Sequence, residues 1–131
     1  MTRTLVVLDA SALVDYMTGG PYSPWIAHEL AGMALSAPGH LKAEVFSALG
    51  RLFRAGLIGA GVVEDALREA AALDVAPHPV EGLLLGAWQR RDNVALSDAL
   101  YVELAAQLDT VVVTTDRRLA RATPLAVAPP E

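Results

Sequence analysis

Cysteine is absent from the 131 residues of this chain. That excludes disulfide scaffolds, thiol nucleophiles and cysteine-ligated zinc together, and leaves the fold to rest on packing alone. Aromatic residues make up only 5% of the chain and are scattered, so the sequence presents no visible platform for stacking bases. The three histidines, His28, His40 and His78, are too dispersed for a zinc pattern; only His40, one helical turn before Glu44, is suggestively placed. The sole lysine, Lys42, follows leucine rather than glycine, which excludes a P-loop, and no Gly-x-Ser-x-Gly elbow exists for a serine hydrolase. Gly59-Ala60-Gly61 is followed by Glu64 where a dinucleotide loop needs its third glycine, so an interhelix loop is expected there. Long uncharged runs are missing too. The longest, Tyr16 to His28, cannot span a bilayer, and Thr4 to Leu8 is too short for a signal-peptide core. Cytoplasm is the expected compartment.

What is present is ample apolar material, 53% of the residues, in a length suited to one domain spanning 1–131. Fifteen acidic against ten basic residues give a net charge of −5, the wrong sign for holding nucleic acid by charge alone. The objection weakens if four of the acids bind cations, because the remainder nearly balances the bases.

Thr4 to Leu8 is a branched, uninterrupted apolar run of the kind found in strands covered on both faces, and Val111 to Thr114 is a second. Shorter strands are expected at Leu35 to Ala37, Asp74 to Pro77 and Leu125 to Ala128. Helices are expected over Ala10 to Met17, Trp25 to Met33 after a Ser23-Pro24 cap, Leu41 to Ala55, Val62 to Leu73, Pro79 to Gln89, Ser97 to Leu108 with Ser97 as cap, and Asp116 to Ala122. Strands alternating with helices predict an α/β sandwich about a parallel sheet, whose ligands gather where the carboxyl ends of the strands meet a reversal of strand order.

Both firm strands run into an aspartate, Asp9 and Asp116, which should therefore emerge at one edge of the sheet. Taken singly, each is read as a helix N-cap. On the helix that follows Ser97, Asp98 shares a face with the apolar Tyr101, Val102 and Ala105, so it points inward. Glu44 flanks the apolar stripe of Leu41, Val45, Ala48 and Leu52, where Arg51 is its simplest structural partner. Four carboxylates converging on one edge cannot all stay ionised without cations, and hard oxygen donors select Mg²⁺ or Mn²⁺. Such a cluster suits metal-assisted hydrolysis of a phosphodiester.

In this order the motifs Leu-Asp9-Ala-Ser-Ala-Leu, Pro38-Gly-His-Leu-Lys-Ala-Glu44-Val-Phe-Ser-Ala-Leu, Leu-Ser-Asp98-Ala-Leu-Tyr-Val-Glu-Leu-Ala and Val-Val-Thr114-Thr-Asp116-Arg-Arg-Leu-Ala resemble those of PIN-domain ribonucleases. The likeness spans nearly the whole chain and is to VapC-type toxins of type II toxin-antitoxin pairs. It implies a three-layer sandwich with a central parallel sheet of four to five strands, and Asp9, Glu44, Asp98 and Asp116 as catalytic, metal-binding acids. It gives Thr114 and Ser11 supporting places. It further implies Mg²⁺ or Mn²⁺, a homodimer, cleavage of structured RNA, and inhibition by a cognate VapB-type antitoxin. Arg117 and Arg118, beside Asp116, are the candidate RNA contacts. Two alternatives stand beside this reading: a PIN-like binding module without catalysis, and a haloacid-dehalogenase-type phosphatase. The phosphatase needs a second acid two residues after Asp9, where this chain has Ser11.

Overall fold

The computed structural model describes residues 3–131. Five strands, β1 (Leu5–Leu8), β2 (Ala34–Pro38), β3 (Ala76–His78), β4 (Val112–Val113) and β5 (Ala126–Val127), form one sheet in the order β3-β2-β1-β4-β5, with every pairing parallel. Seven helices flank it: α1 (Ala10–Thr18), α2 (Ser23–Leu30), α3 (Leu41–Arg54), α4 (Ala60–Ala72), α5 (Leu84–Trp88), α6 (Leu96–Gln107) and α7 (Arg117–Ala122). Helices α1 to α4 pack on one another, whereas α5 pairs with α6, which lies on β1 and β2. Right-handed crossovers explain the division: strand order grows away from β1 in one direction through β3 and then restarts on its other side at β4.

Why the sheet forms is plain in β1 and β4. Val6, Val7, Leu8, Val112 and Val113 are buried from both sides, as their unbroken branched runs predict. Leu13, Ile26, Val45 and Leu49 close the core on the α1 to α4 face, and Tyr101, Val102, Leu104 and Ala105 close it from α6. The turn from α1 to α2 depends on two glycines. Gly19 caps α1 in the left-handed conformation at φ 69°, and a Cβ on Gly20 would collide with the Asp15 carboxylate, which accepts a 3.1 Å bond from the Tyr22 amide.

Several expected boundaries move. The second helix runs Ser23–Leu30 and not to Met33, because the chain leaves it through Gly32 at φ 73°. The single helix expected over Pro79 to Gln89 is a 3₁₀ turn, Val80–Gly82, followed by the short α5. Gly86 in α5 has the Glu103 carboxylate packed where a Cβ would stand, which lets α5 approach α6 closely. Residue Ala95, not Ser97, is the N-cap of α6, so Ser97 and Asp98 lie in its first turn.

Candidate functional site

The strand order reverses between β1 and β4, and the carboxyl ends of these two neighbours carry Asp9 and Thr114. Asp9 sits at the N-cap position of α1, yet its side chain makes no capping bond. It points instead into the sheet edge, where it is only 7% exposed. Thr114, fully buried, donates to Asp9 Oδ2 at 2.6 Å, and Ser11 Oγ donates to the same oxygen at 3.0 Å.

The protons of this network can be assigned by counting. Thr114 Oγ1 accepts from the Asp116 amide at 3.0 Å, and Ser11 Oγ accepts from the Thr115 amide at 3.2 Å. Each hydroxyl has one proton to give, and with an N–H arriving at its oxygen it gives that proton to Asp9. The 3.3 Å approach of Ser11 Oγ to Thr114 Oγ1 is therefore a contact between two committed groups. Burial nevertheless outweighs these donors and raises the Asp9 carboxyl above its ordinary value.

Asp98, in the first turn of α6, is pushed up to about 6, first by burial and then by the negative charges of Asp9, Asp116 and Glu44, with Arg118 opposing. The charges of the other three predicted acids thus all reach Asp98. Among the described residues neither Asp9 nor Asp98 has a protein cation within ion-pair distance.

The other two acids are partly engaged. Asp116 does cap α7, with Oδ1 accepting from the amides of Arg118 at 2.9 Å and Leu119 at 3.4 Å. Glu44 does not pair with Arg51. It accepts from the buried Tyr101 hydroxyl, and His40 Nε2 lies 3.1 Å from its Oε1. Tyr101 is the neighbour of the candidate site that sequence reasoning passed over. Its apolar face assigned it to the core, although its position one turn after Asp98 could have flagged it. Burial and the bond to Glu44 hold its phenol proton far more tightly than usual. The two expected RNA contacts also part company. Arg117 donates to the carbonyls of Pro129 and Pro130 at 3.1 and 2.9 Å and lies over the Tyr22 ring, whereas Arg118 is 86% exposed with only a 3.8 Å approach to Asp116.

Among the described residues no three Asp, Glu or His side chains stand ready as a metal cage. That argues against an all-protein site but suits Mg²⁺, which keeps several waters and takes one or two carboxylates. Two mutually repelling, buried or half-buried acids without a protein cation fit such an ion in charge and donor type.

A family profile for the PIN domain matches residues 6–124. The chain belongs to the PIN-domain family. Within it, the chain is 50% identical over 125 residues to Ribonuclease VapC3 of Mycobacterium tuberculosis, covering 94% of this chain and 90% of that protein. It is 37% identical over 124 residues to Ribonuclease VapC1 of the same organism, at 88% and 89% coverage. The crystal structure of PAE2754 from Pyrobaculum aerophilum superposes with a TM-score of 0.69 at 26% identity, over 95% of this chain and 83% of that one. PIN membership agrees with the parallel sheet and with acids at its switch point. It leaves no place for the phosphatase alternative, whose second acid position holds Ser11 as a donor to Asp9.

Proposed function

We propose that this chain is a metal-dependent endoribonuclease, the toxin of a VapBC pair, which hydrolyses phosphodiester bonds of structured RNA and is restrained by a VapB-type antitoxin. The observation that carries the reading is the PIN-domain match over residues 6–124 together with 50% identity to a protein named Ribonuclease VapC3, in a fold that buries Asp9 at the switch point of the sheet. A cytoplasmic homodimer is the accompanying expectation from the VapC relatives; among the described residues no helix is long and apolar enough to cross a membrane.

In this reading Asp9 and Asp98 are the principal ligands and Glu44 and Asp116 complete the acidic shell. When bound, Mg²⁺ or Mn²⁺ supplies a water of lowered pKa and positive charge for the departing oxygen. The protein's part is placement. Ser11 and Thr114 fix the Asp9 carboxylate by directing both hydroxyl protons onto one oxygen. Tyr101 and His40 both hold Glu44 through its Oε1. Burial keeps the Asp9 carboxylate out of bulk solvent, where its charge would be screened.

The test is cleavage of total RNA with Mg²⁺ or Mn²⁺ and in excess chelator. Activity should vanish in chelator and return with metal; equal activity in both would reject metal dependence. A catalytically silent PIN-like binding module is the alternative. Calorimetric titration separates the two, because that module would take up no Mn²⁺.

Tyr101→Phe removes one oxygen and should leave folding stability within about 1 kcal/mol, since the lost bond has a half-exposed acceptor. If Glu44 works in the acidic shell, the same change should weaken metal affinity or cleavage about tenfold, as losing the partner of a metal ligand does. Metal-concentration curves for cleavage and Mn²⁺ isotherms check this; curves superposable on wild type would remove Tyr101 from the site.

A further inference from the structure

Helix α3 carries more than Glu44. Spaced at three and four residues, Glu44, Ser47, Arg51 and Arg54 form one ridge, opposite the buried face of Leu41, Val45 and Leu49. The ridge beside it carries Phe46, 63% exposed, and Phe53, 48% exposed. Large rings are seldom left in water, and these stand two turns apart, about 10 Å along the helix axis. Two shallow depressions run along these ridges. One, of about 340 Å³, reaches Glu44, Ser47 and Arg51; the other, of about 380 Å³, is lined by Phe46, Ser47, Arg51 and Arg54. They share Ser47 and Arg51 and so adjoin in a trough that begins beside Glu44; Phe53 stands beyond them, further along the same helix.

We propose that this trough is the track on which an unpaired stretch of RNA approaches the acidic site, with Arg51 and Arg54 on its phosphates and Phe46 and Phe53 stacked on its bases. The proposal rests on the nuclease reading and names where its substrate lies. Charge chooses the occupant. In a chain of net charge −5, Arg51 and Arg54 take part in no ion pair among the described residues. The last turn of α3 suits a cation through the helix dipole, but that accounts neither for two unpaired guanidinium groups nor for the rings next to them. Cations alternating with aromatic faces are what a single strand requires, since phosphates want charge and every base has a face to stack. The aromatic scarcity of the sequence hid this, because two of its few rings meet only on the folded helix.

The experiment titrates a labelled, unstructured oligoribonucleotide into the full chain in excess chelator, so that nothing is cleaved, over a range of salt. Arg51→Gln with Arg54→Gln should weaken binding and flatten the logarithmic salt slope by about 1.4, the single-strand value for two phosphates. Phe46→Leu with Phe53→Leu keeps the surface apolar while removing the rings, and should weaken binding about tenfold or more. Melting curves confirm that these exposed changes leave the fold intact. Wild-type affinity and slope in both pairs would overturn the proposal. So would a loss in Phe46→Ala with Phe53→Ala that the leucine pair fully restores, which would mark an apolar surface for a protein helix instead. Cleavage with metal is scored separately. Wild-type RNA binding through Arg51 and Arg54 without any metal-dependent cleavage would sink the nuclease reading while upholding the track.

Discussion

Asp98→Asn should lower metal-dependent RNA cleavage by at least about a hundredfold, because it removes a proposed ligand where even second-sphere losses cost ten- to a hundredfold. The same substitution should raise the melting temperature of the metal-free protein at neutral pH. The folded chain binds the Asp98 proton with a pKa of about 6, against an ordinary 3.8, so the ionised carboxylate opposes folding above about pH 6. That opposition fades as pH falls from about 6 towards 3.8 and is gone below it. Wild type should therefore gain on the asparagine variant through that window, closing the gap in melting temperature. Undiminished cleavage by the variant would remove Asp98 from the chemistry. A variant less stable than wild type at neutral pH, metal-free, would show that neither burial nor the neighbouring acids disfavour its charge.

Thr114→Val should be the most destabilising single change at the site. Valine fills the same space, but it leaves the Asp116 amide without its 3.0 Å acceptor and the buried Asp9 carboxylate without its 2.6 Å donor. Losing the acceptor of one amide and one of the two donors to a buried carboxylate, which keeps only Ser11, costs about 2–4 kcal/mol, and for a chain of this size that lowers the melting temperature by about 10 °C. Thr114→Ser should recover most of the loss because it returns the hydroxyl. Denaturant unfolding of the three proteins decides the point: a valine variant within about 0.5 kcal/mol of wild type would mean the network carries little energy.

How much of this was legible beforehand depended on whether the cause was local. The strands β1 and β4 were read correctly because burial on both faces writes itself as a run of branched residues. Asp98 was placed inward because helical periodicity alone puts it beside Tyr101 and Ala105. Asp9 and Asp116 shared one local reading, that of a helix cap, and the structure separates them. Only Asp116 caps, because Asp9 has Thr114 to meet it, a partner 105 residues away that no local pattern reveals. For Glu44 the only structural partner a local pattern offers is Arg51 on its own helix, while the neighbour it meets, Tyr101, comes from α6. The helix expected over Pro79 to Gln89 is broken at Gly82, a poor helix former that ends the 3₁₀ turn before α5 begins at Leu84.

The sheet has two outer borders, and both are blunt. β3 is three residues long with Pro77 at its centre, and β5 is two residues long with Pro129 and Pro130 soon after it. Neither border offers a run of free amides long enough for a foreign strand to zip onto. Association by adding a strand is thereby disfavoured, which leaves the helices and loops as the surfaces open to a companion protein. The same bluntness protects a chain rich in aliphatic residues from fibrous self-assembly.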